Sequence, residues 1–327
     1  MATAQMSRRG FLKSMGAVTA AAAMAGPVSL PKAVSAAAAA TGKVRFGVQT
    51  YPQNVAYQDL LQTWQEVDGL GFDTAFVFDH FIPISSDANG PCLEGWTLLS
   101  ALAAQTKNVK VGVLVTGNTY RNPAILAKMA ATVDHVSNGR LILGIGAGWF
   151  ALEHTAYGIP FSTAGGRAKQ LVEAVEVLKL LFTEERSNFT GKYYQLKDAP
   201  FAPKTVQKPH PPILIGGMGP KRIQPLVARH GDIWNFFVGD GDPQEAKRVC
   251  SKFDEICRKV GRDPAQVEKS VSLGSSQLTG TTEEVHGRLQ ALVEAGVQHF
   301  IISLSAPYDR ALLRRFAKDV IPTFRST

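Results

Sequence analysis

The chain has 327 residues, 45% of them hydrophobic, and a formal net charge of +8 at pH 7. This apolar content supports a sizeable core and excludes a disordered chain. Residues 1–36 hold four basic and no acidic side chains, so the remainder carries only +4; without a basic stripe among aromatic residues, this excludes a nucleic-acid-binding surface.

Residues 1–40 have the order of a secretory signal followed by an Ala-rich linker. Arg8 and Arg9 precede Phe11 and Leu12, an apolar stretch covers 15–25, and small residues continue to position 40. The apolar stretch is too short to anchor the chain in a bilayer. The paired arginines resemble a twin-arginine (Tat) signal, so we expect export by the Tat machinery to the periplasm or another extracytoplasmic compartment. A chance basic terminus before a low-complexity linker is the alternative.

From Lys43 onward, Val- and Ile-rich runs alternate with helical periods, as in βαβ units. Eight pairs of strand and helix in this length predict one α/β domain over 41–327, a closed (β/α)8 TIM barrel. The predicted strands are Val44–Thr50, Thr74–Asp79, Val109–Thr116, Leu141–Gly146, Ile213–Gly217, Ile233–Val238, Val267–Leu273 and Phe300–Leu304. The predicted helices are Tyr57–Leu70, Trp96–Gln105, Ala124–Val136, Gly166–Phe182, Lys221–His230, Pro243–Val260, Thr282–Ala295 and Arg310–Val320.

The segment 183–212 interrupts this alternation. Residues 189–194 have the pattern of a small hairpin, and a Pro-rich stretch follows, so we interpret the segment as an insertion between the fourth helix and the fifth strand. Cys250 and Cys257 fall on one predicted helix, about 10 Å apart, which is beyond the Cα separation of a disulfide. We predict free thiols, and no group of residues has the spacing of a zinc site.

The active site of such a barrel lies at the carboxyl ends of its strands. There the sequence has Gln49, the pair Asp79 and His80, Thr116, Gly148 and Asn235. A histidine at a strand mouth can exchange a proton near neutral pH, and a neighbouring carboxylate can orient it. A lone histidine is also often only structural, but this position favours a function.

Two glycine-rich turns follow strands. The turn 216–222 exposes backbone N–H groups at a helix start, where phosphate binds, and Lys221 and Arg222 add positive charge; a tight turn that needs glycine is the alternative. The run Gly144–Gly148 lacks the third glycine of a dinucleotide fingerprint. We expect its glycines to let a flat ring approach the backbone.

At these residues the chain resembles the luciferase-like monooxygenase superfamily, most closely its coenzyme F420-dependent branch. The resemblance covers about 43–237 and weakens beyond it. Its motifs are Phe72-Asp73, Asp79-His80-Phe81, Leu93-Glu94-Gly95-Trp96-Thr97, Gly112-Val113-Leu114-Val115-Thr116, Tyr120-Arg121-Asn122-Pro123-Ala124, Ser137-Asn138-Gly139-Arg140, Gly144-Ile145-Gly146-Ala147-Gly148-Trp149, Ile215-Gly216-Gly217-Met218-Gly219 and Ala228-Arg229-His230-Gly231-Asp232.

The resemblance implies an exported oxidoreductase in which hydride moves between F420 and a small organic substrate. His80 would then handle the substrate proton, and the strand-three bulge would back the cofactor ring, often through a non-prolyl cis peptide. The cofactor-binding set is Gln49, Asp79 at the head group, Val113, Leu114, Val115 and Thr116 at the bulge, Ala147, Gly148 and Trp149 beside the ring, and Gly216, Gly217, Gly219 and Lys221 at the phosphate turn.

One departure and three alternatives remain. F420-dependent sugar-phosphate dehydrogenases carry Glu where Trp149 stands, so we expect a flatter, more apolar substrate than a sugar phosphate. Lys221 and Arg222 suit the polyanionic tail of F420 and the single phosphate of FMN alike, so a monooxygenase of the alkanesulfonate type, using reduced FMN, stays open. An exported binding barrel without turnover and a homodimeric assembly also stay open. A metal-dependent barrel is disfavoured because Glu153 and His154 lack carboxylate partners at neighbouring strand ends.

Overall fold

The computed structural model describes residues 43–325, so the predicted signal segment 1–40 lies outside the described residues. The barrel segments are β1 (Arg45–Thr50), β2 (Thr74–Val77), β3 (Lys110–Val113), β4 (Thr116–Gly117), β5 (Leu141–Gly146), β8 (Ile213–Gly216), β9 (Ile233–Phe236), β10 (Glu268–Gly274) and β11 (His299–Leu304). Both β3 and β4 pair with β5 as the two parts of one strand, so the nine segments make eight strands. The parallel strands pair in the order β3-β2-β1-β11-β10-β9-β8-β5, and pairing of β3 with β5 closes the ring. The predicted closed (β/α)8 barrel is therefore confirmed.

Helices surround the ring, and each barrel strand leads to at least one of them. They are α1 (Tyr57–Gly69), α2 (Gly95–Ala104), α3 (Pro123–Val136), α4 (Ala151–Ala156), α5 (Ala164–Thr183), α6 (Ile223–His230), α7 (Pro243–Lys259), α8 (Thr282–Glu294) and α9 (Arg310–Arg315). Short 3-10 turns occupy Gly239–Gly241, Pro264–Gln266, Ser275–Leu278 and Ile321–Phe324, and a π turn occupies Phe316–Val320. No helix within 43–325 has both the length and the apolar character to cross a bilayer.

Local sequence explains where several helices begin. The Asn122 side chain accepts the N–H of Ala124, and Pro123 has the fixed φ that suits a first helical position. At α8, Thr281 and Glu284 form a capping box, each side chain accepting the other's backbone N–H. The helix α4 has no side-chain cap, and its six residues are too few for a periodic pattern. This is why the sequence did not predict it.

The core has two layers. A small cluster fills the barrel interior with one side chain each from β2, β5, β8, β9 and β11, together with Leu114; its members are Phe76, Leu114, Ile142, Leu214, Ile233 and Ile301. The larger cluster, which contains Phe46, Trp64 and Val113, lies between strands and helices. Alternation of side chains along a strand separates the two layers.

Two local predictions are confirmed and one strand is corrected. Strands β6 (Arg186–Thr190) and β7 (Gln195–Pro200) form an antiparallel hairpin within the predicted insertion. The described cysteines, Cys92, Cys250 and Cys257, are all free. The predicted third strand is not continuous, because β3 ends at Val113 and the peptide bond between Leu114 and Val115 is cis.

Candidate active site

A cavity of about 500 Å³ opens among residues at the carboxyl ends of the strands. The structure brings nine of the predicted site residues to its wall: Gln49, His80, Leu114, Val115, Ala147, Gly148, Trp149, Gly216 and Gly217. They come from five different strand ends. Because all strands of the barrel run in the same direction, their carboxyl ends meet at one rim.

Five of the predicted site residues do not line this cavity. Asp79, Val113 and Thr116 are buried behind its wall. The Val113 side chain packs in the outer core layer, on the other face of its strand from the barrel interior. Gly219 and Lys221 are exposed, beyond the end of β8.

The cavity wall also contains residues that the sequence reading did not select. The serines Ser272 and Ser303 lie on the last two barrel strands, β10 and β11, which contribute no residue to the predicted site. Side chains alternate between the two faces of a strand, and this alternation is the sequence pattern from which these two serines could have been predicted. Five more aromatic or apolar residues and one glycine line the cavity outside the predicted set: Tyr51, Phe78, Ile84, Tyr120, Phe237 and Gly117. Gly146 and Asn235, which the sequence places at strand ends, line it as well.

His80 is 7% exposed, and its Nδ1 atom lies 2.7 Å from Oε1 of Glu153. Glu153 is fully buried on α4, where it also accepts hydrogen bonds from the Tyr120 hydroxyl and from the N–H of Phe81. A metal-dependent barrel is disfavoured in the sequence because Glu153 and His154 lack carboxylate partners. The partner that the structure gives Glu153 is not a carboxylate but His80, the histidine that follows β2.

Asp79, the sequence neighbour of His80, does not contact the imidazole. Its carboxylate accepts two hydrogen bonds from Arg121, at 2.5 and 3.1 Å, and a third from the Thr116 hydroxyl. Arg121 also pairs with Glu94, which caps α2. A neighbouring carboxylate can orient a histidine, but Asp79 does not do so by a hydrogen bond, since its oxygens accept from Arg121 and Thr116.

Gln49, at the end of β1 and two strands from β3 in the ring, holds the strand-three bulge. Its side-chain Nε2 donates to the carbonyl of Leu114 at 2.5 Å, and its Oε1 lies 3.3 Å from the hydroxyl of Ser303. Leu114 and Val115, on either side of the cis peptide, both line the cavity. The end of β1 thus supports the segment that bounds the ligand space.

Three glycines make room for Val115. A Cβ atom at Gly144, Gly146 or Gly216 would lie within 2.8–3.3 Å of the Val115 side chain, and at Gly144 it would also lie 1.9 Å from the Val113 carbonyl. Our expectation was that the glycines of 144–148 admit a flat ring. At Gly144 and Gly146 they instead accommodate the bulge, and only Gly148, with φ of +77°, needs glycine for its backbone.

The turn after β8 offers unpaired backbone donors. Gly217 has φ of +126° and donates its N–H to the Asn235 carbonyl at 3.0 Å. The N–H groups of Met218 and Gly219 donate to no residue in the described part of the chain. Successive free N–H groups in a turn form an anion-binding concavity, so this turn suits a phosphate group.

Lys221 lies in a second cavity, of about 360 Å³, formed by α5, α6 and the hairpin turn. Its basic lining residues are Lys169, Lys192, Lys221, Arg222, Arg229 and His230, and Glu173 and Glu176 are its acidic ones. Burial lowers the pKa of His230 to about 4, which leaves this imidazole neutral at pH 7. The second cavity still carries an excess of positive charge directly after the phosphate-type turn.

Aromatic side chains surround the mouth of the first cavity. Trp149 and Phe237 are 60% and 64% exposed, unusual values for large apolar side chains. The ring centroid of Trp149 lies 5.6 Å from that of His80. In the part of the chain that the structure describes, no Asp, Glu, Lys or Arg side chain lines the cavity, so the space suits an uncharged ring system.

Comparisons with known sequences show which protein family the chain belongs to. Residues 40–276 match the sequence profile of luciferase-like monooxygenases, and residues 5–25 match that of twin-arginine translocation signals. An F420-dependent glucose-6-phosphate dehydrogenase of Kineococcus radiotolerans is 32% identical over 232 residues, covering 70% of this chain and 67% of that protein.

Solved structures agree on the fold. An F420-dependent secondary alcohol dehydrogenase, in complex with an F420–acetone adduct, superposes with a TM-score of 0.75 at 23% identity, covering 86% of this chain and 99% of that one. A monooxygenase of Streptomyces bottropensis, RslO1, superposes with a TM-score of 0.74 at 21% identity, with the same coverage.

Proposed function

Because the chain belongs to the luciferase-like monooxygenase family and is an oxidoreductase with a Tat signal sequence, we propose that it transfers hydride between F420 and an uncharged organic substrate. His80 is the proton donor or acceptor in this proposal. Export to the periplasm or another extracytoplasmic compartment, a mature domain over 41–327 and a homodimeric assembly are parts of the same proposal.

The observation that carries the proposal is the position of the His80 imidazole at the cavity wall. Its Nδ1 atom is held by Glu153, whereas its Nε2 atom has no hydrogen-bond partner among the described residues and is not occluded. A neutral imidazole nitrogen in such a position can accept a proton near neutral pH, and the imidazolium can return it.

The residues fit a phosphate-bearing tricyclic cofactor. The bulge at Leu114 and Val115 supplies a backbone wall for a flat ring, and the free N–H groups of Met218 and Gly219 suit its phosphate. Gln49, Ala147, Gly148, Gly216 and Gly217 complete this proposed cradle, with Asp79, Val113 and Thr116 supporting it from behind. When bound, F420 supplies the hydride chemistry, and the protein supplies position and electrostatics.

Two observations favour F420 over FMN. The relative from Kineococcus radiotolerans reported above is an F420-dependent dehydrogenase, and the second cavity places basic side chains, Lys221 among them, directly after the phosphate-type turn. A polyanionic tail gains more from these charges than a single phosphate does. A monooxygenase that uses reduced FMN is the second candidate, since RslO1 shares the fold.

Side-by-side fluorescence titrations of the folded protein with F420 and with FMN test this proposal. We expect tighter binding of F420 and, in single-turnover mixing, reduction of F420 only when substrate is present. Tighter binding of FMN, with oxygen consumption, would favour the monooxygenase. Binding of neither cofactor would overturn the proposal.

The variant His80→Ala separates catalysis from binding. We expect the variant to lose turnover by at least about 100-fold, the usual contribution of a positioned acid or base. His80 is one of many residues that line the cavity, so the affinity for the cofactor should stay unchanged. Unchanged turnover would remove His80 from the mechanism. A wild type that binds F420 and turns over no alcohol or ketone would favour the exported binding barrel.

A further inference from the structure

Among residues 43–325, Glu153 is the one carboxylate that has a hydrogen bond to His80. It lies on α4, four residues after Trp149, and no part of it is exposed. Its Oε1 atom lies 2.7 Å from His80 Nδ1 and accepts the Tyr120 hydroxyl, while its Oε2 atom accepts the N–H of Phe81 at 2.8 Å. Three donors thus converge on a single buried carboxylate, which is more than anchoring a loop requires.

The ionisation of these groups determines where the imidazole proton lies. Burial raises the pKa of Glu153, but hydrogen bonds from His80, Tyr120 and Phe81 outweigh it and lower the pKa below its ordinary value. Burial and the Glu153 carboxylate raise the pKa of Tyr120, so its hydroxyl stays a donor. An ionised carboxylate accepts hydrogen bonds only. The atom of His80 that faces it must therefore carry a proton.

We propose that Glu153 is a positioning residue that holds neutral His80 in its Nδ1–H tautomer, with Nε2 presented to the cavity as the atom that exchanges the substrate proton. Tyr120, the second donor to Oε1, fixes the carboxylate in place. This inference rests on the proposed function of His80. In the proton step, the O–H bond of a substrate hydroxyl breaks and an N–H bond forms at Nε2, so the resulting imidazolium faces the Glu153 carboxylate. The electron pair left on oxygen forms the carbonyl as the carbinol carbon gives its hydride to F420, the acceptor named in the proposed function. In the reverse step, the imidazolium returns its proton to the carbonyl oxygen as hydride adds to the carbonyl carbon.

The carboxylates of Asp79 and Glu153 have different hydrogen-bond partners at this rim. Asp79 is closer to His80 in sequence but is bound by Arg121 and Thr116. The rings of Phe78, Trp149 and Phe150 also neighbour the imidazole, with centroids 5.1–5.8 Å away, and none of them can accept the Nδ1 proton as a carboxylate does. The Tyr120 hydroxyl lies 3.4 Å from Nδ1, farther than the 2.7 Å of Glu153 Oε1, and it donates its own proton to that carboxylate. The tautomer therefore depends chiefly on Glu153.

The test compares Glu153→Gln and Tyr120→Phe with the full wild-type chain. Long-range proton–nitrogen NMR of histidine-labelled protein, assigned with His80→Gln, reports the tautomer without any turnover. We expect protonated Nδ1 in the wild type and a mixture of tautomers in Glu153→Gln, since the amide has one acceptor oxygen for three donors. Tyr120→Phe should keep the wild-type tautomer, because Oε1 stays free to accept from His80.

Activity of the cofactor-loaded protein gives the second readout. Removing the charge that faces the imidazolium should move the ionisation limb of the kcat–pH profile by about one unit to lower pH in Glu153→Gln. Asp68→Asn is the matched control, because Asp68 also accepts three backbone N–H groups, from Lys107, Asn108 and Val109, and has no hydrogen bond to His80. It should change neither readout.

A Glu153→Gln protein that folds, with wild-type near-UV circular dichroism, and keeps the wild-type tautomer and pH profile would overturn the proposal. Glu153 would then only anchor the backbone at Phe81. If neither F420 nor FMN binds, the proposed function fails, but the tautomer measurement still decides the role of Glu153. A variant that does not fold is replaced by Glu153→Asp, whose shorter side chain should release Nδ1 and give the same loss of tautomer.

Discussion

The carboxylate of Asp79 and the guanidinium of Arg121 form a bidentate ion pair in the wall behind the cavity. Arg121 Nη1 lies 2.5 Å from Oδ2 of Asp79, and Nη2 lies 3.1 Å from Oδ1. The same guanidinium pairs with Glu94 at the start of α2. One arginine thus joins the end of β2, the chain after β4 and the first turn of α2, which fixes the segment from which His80 extends.

Arg121→Met should destabilise the fold strongly. Burial raises the pKa of Asp79 and the charge of Arg121 opposes that effect, so the variant leaves a buried carboxylate without its cation. We expect the free energy of unfolding to fall by about 3–5 kcal/mol, measured by urea denaturation. The surface pair of Arg186 with Asp198 is the control, and Arg186→Met should cost less than about 1 kcal/mol. Equal losses in the two variants would contradict the prediction.

Trp149→Phe should remove the accessible part of the tryptophan fluorescence. Of the four tryptophans, Trp64, Trp96 and Trp234 are at most 1% exposed, and Trp149 is 60% exposed. Acrylamide should therefore quench chiefly Trp149, and a cofactor bound in the cavity should protect it. We expect unfolding energies within about 0.5 kcal/mol of the wild type. Trp64→Phe should retain the quenching, and persistence of quenching in Trp149→Phe would show that Trp149 is covered.

Replacing Lys221 and Arg229 by Gln should weaken binding of F420 more than binding of FMN. Both side chains line the second cavity, and each exposed charge should contribute about twofold to fivefold in affinity. Raising the salt concentration should have the same selective effect, because it screens exposed charges. Titrations at low and high NaCl measure it, with Lys252→Gln on α7 as control. An equal loss for both cofactors would place the anionic tail elsewhere.

Low pH should lower the free energy of unfolding by protonating Glu268, the first residue of β10, at the end of the barrel opposite the cavity. Burial raises the pKa of this carboxyl, but His299 at 2.7 Å and Arg45 at 2.8 Å lower it to about 2. A depressed pKa contributes stability above the ordinary value near 4.5, and this stability is lost as pH falls from there toward 2. The contribution amounts to about 3 kcal/mol.

Urea denaturation at pH 7 and pH 3 measures this dependence, and Glu268→Gln should flatten it. The variant should also be less stable than the wild type at pH 7, since Arg45 loses its buried partner. If both proteins lose the same stability between these pH values, other carboxylates account for the acid sensitivity.

Gly144→Ala should destabilise the barrel at the bulge. The added Cβ would lie 1.9 Å from the carbonyl oxygen of Val113, a backbone atom that cannot rotate away, so we expect a loss of about 3 kcal/mol. Gly287→Ala is the matched control on α8, where no atom lies within 4 Å of the added Cβ. It should gain about 0.5–1 kcal/mol. The urea midpoints of the two variants measure these changes in stability. A Gly144→Ala variant as stable as the wild type would show that β3 can shift.

The sequence by itself determined the barrel, its hairpin insertion and the rim at which His80 lies. Strand and helix periods follow from the alternation of side chains on each element, which is local in the chain. Because parallel strands end at one rim, residues as distant as Gln49 and Gly216 could be assigned to the same opening. These conclusions need only the pattern along the chain.

Only the tertiary structure decided which partners the polar groups take. His80 and Glu153 are 73 residues apart in the chain. The helix α4, which carries Glu153, is too short to be predicted from a periodic sequence pattern. Adjacency in sequence favoured Asp79 as the partner of His80, but barrel closure brings Arg121 to Asp79 and α4 to the imidazole. A hydrogen bond forms between groups that meet within about 3 Å, and that distance is set by the closed ring and not by the order of residues.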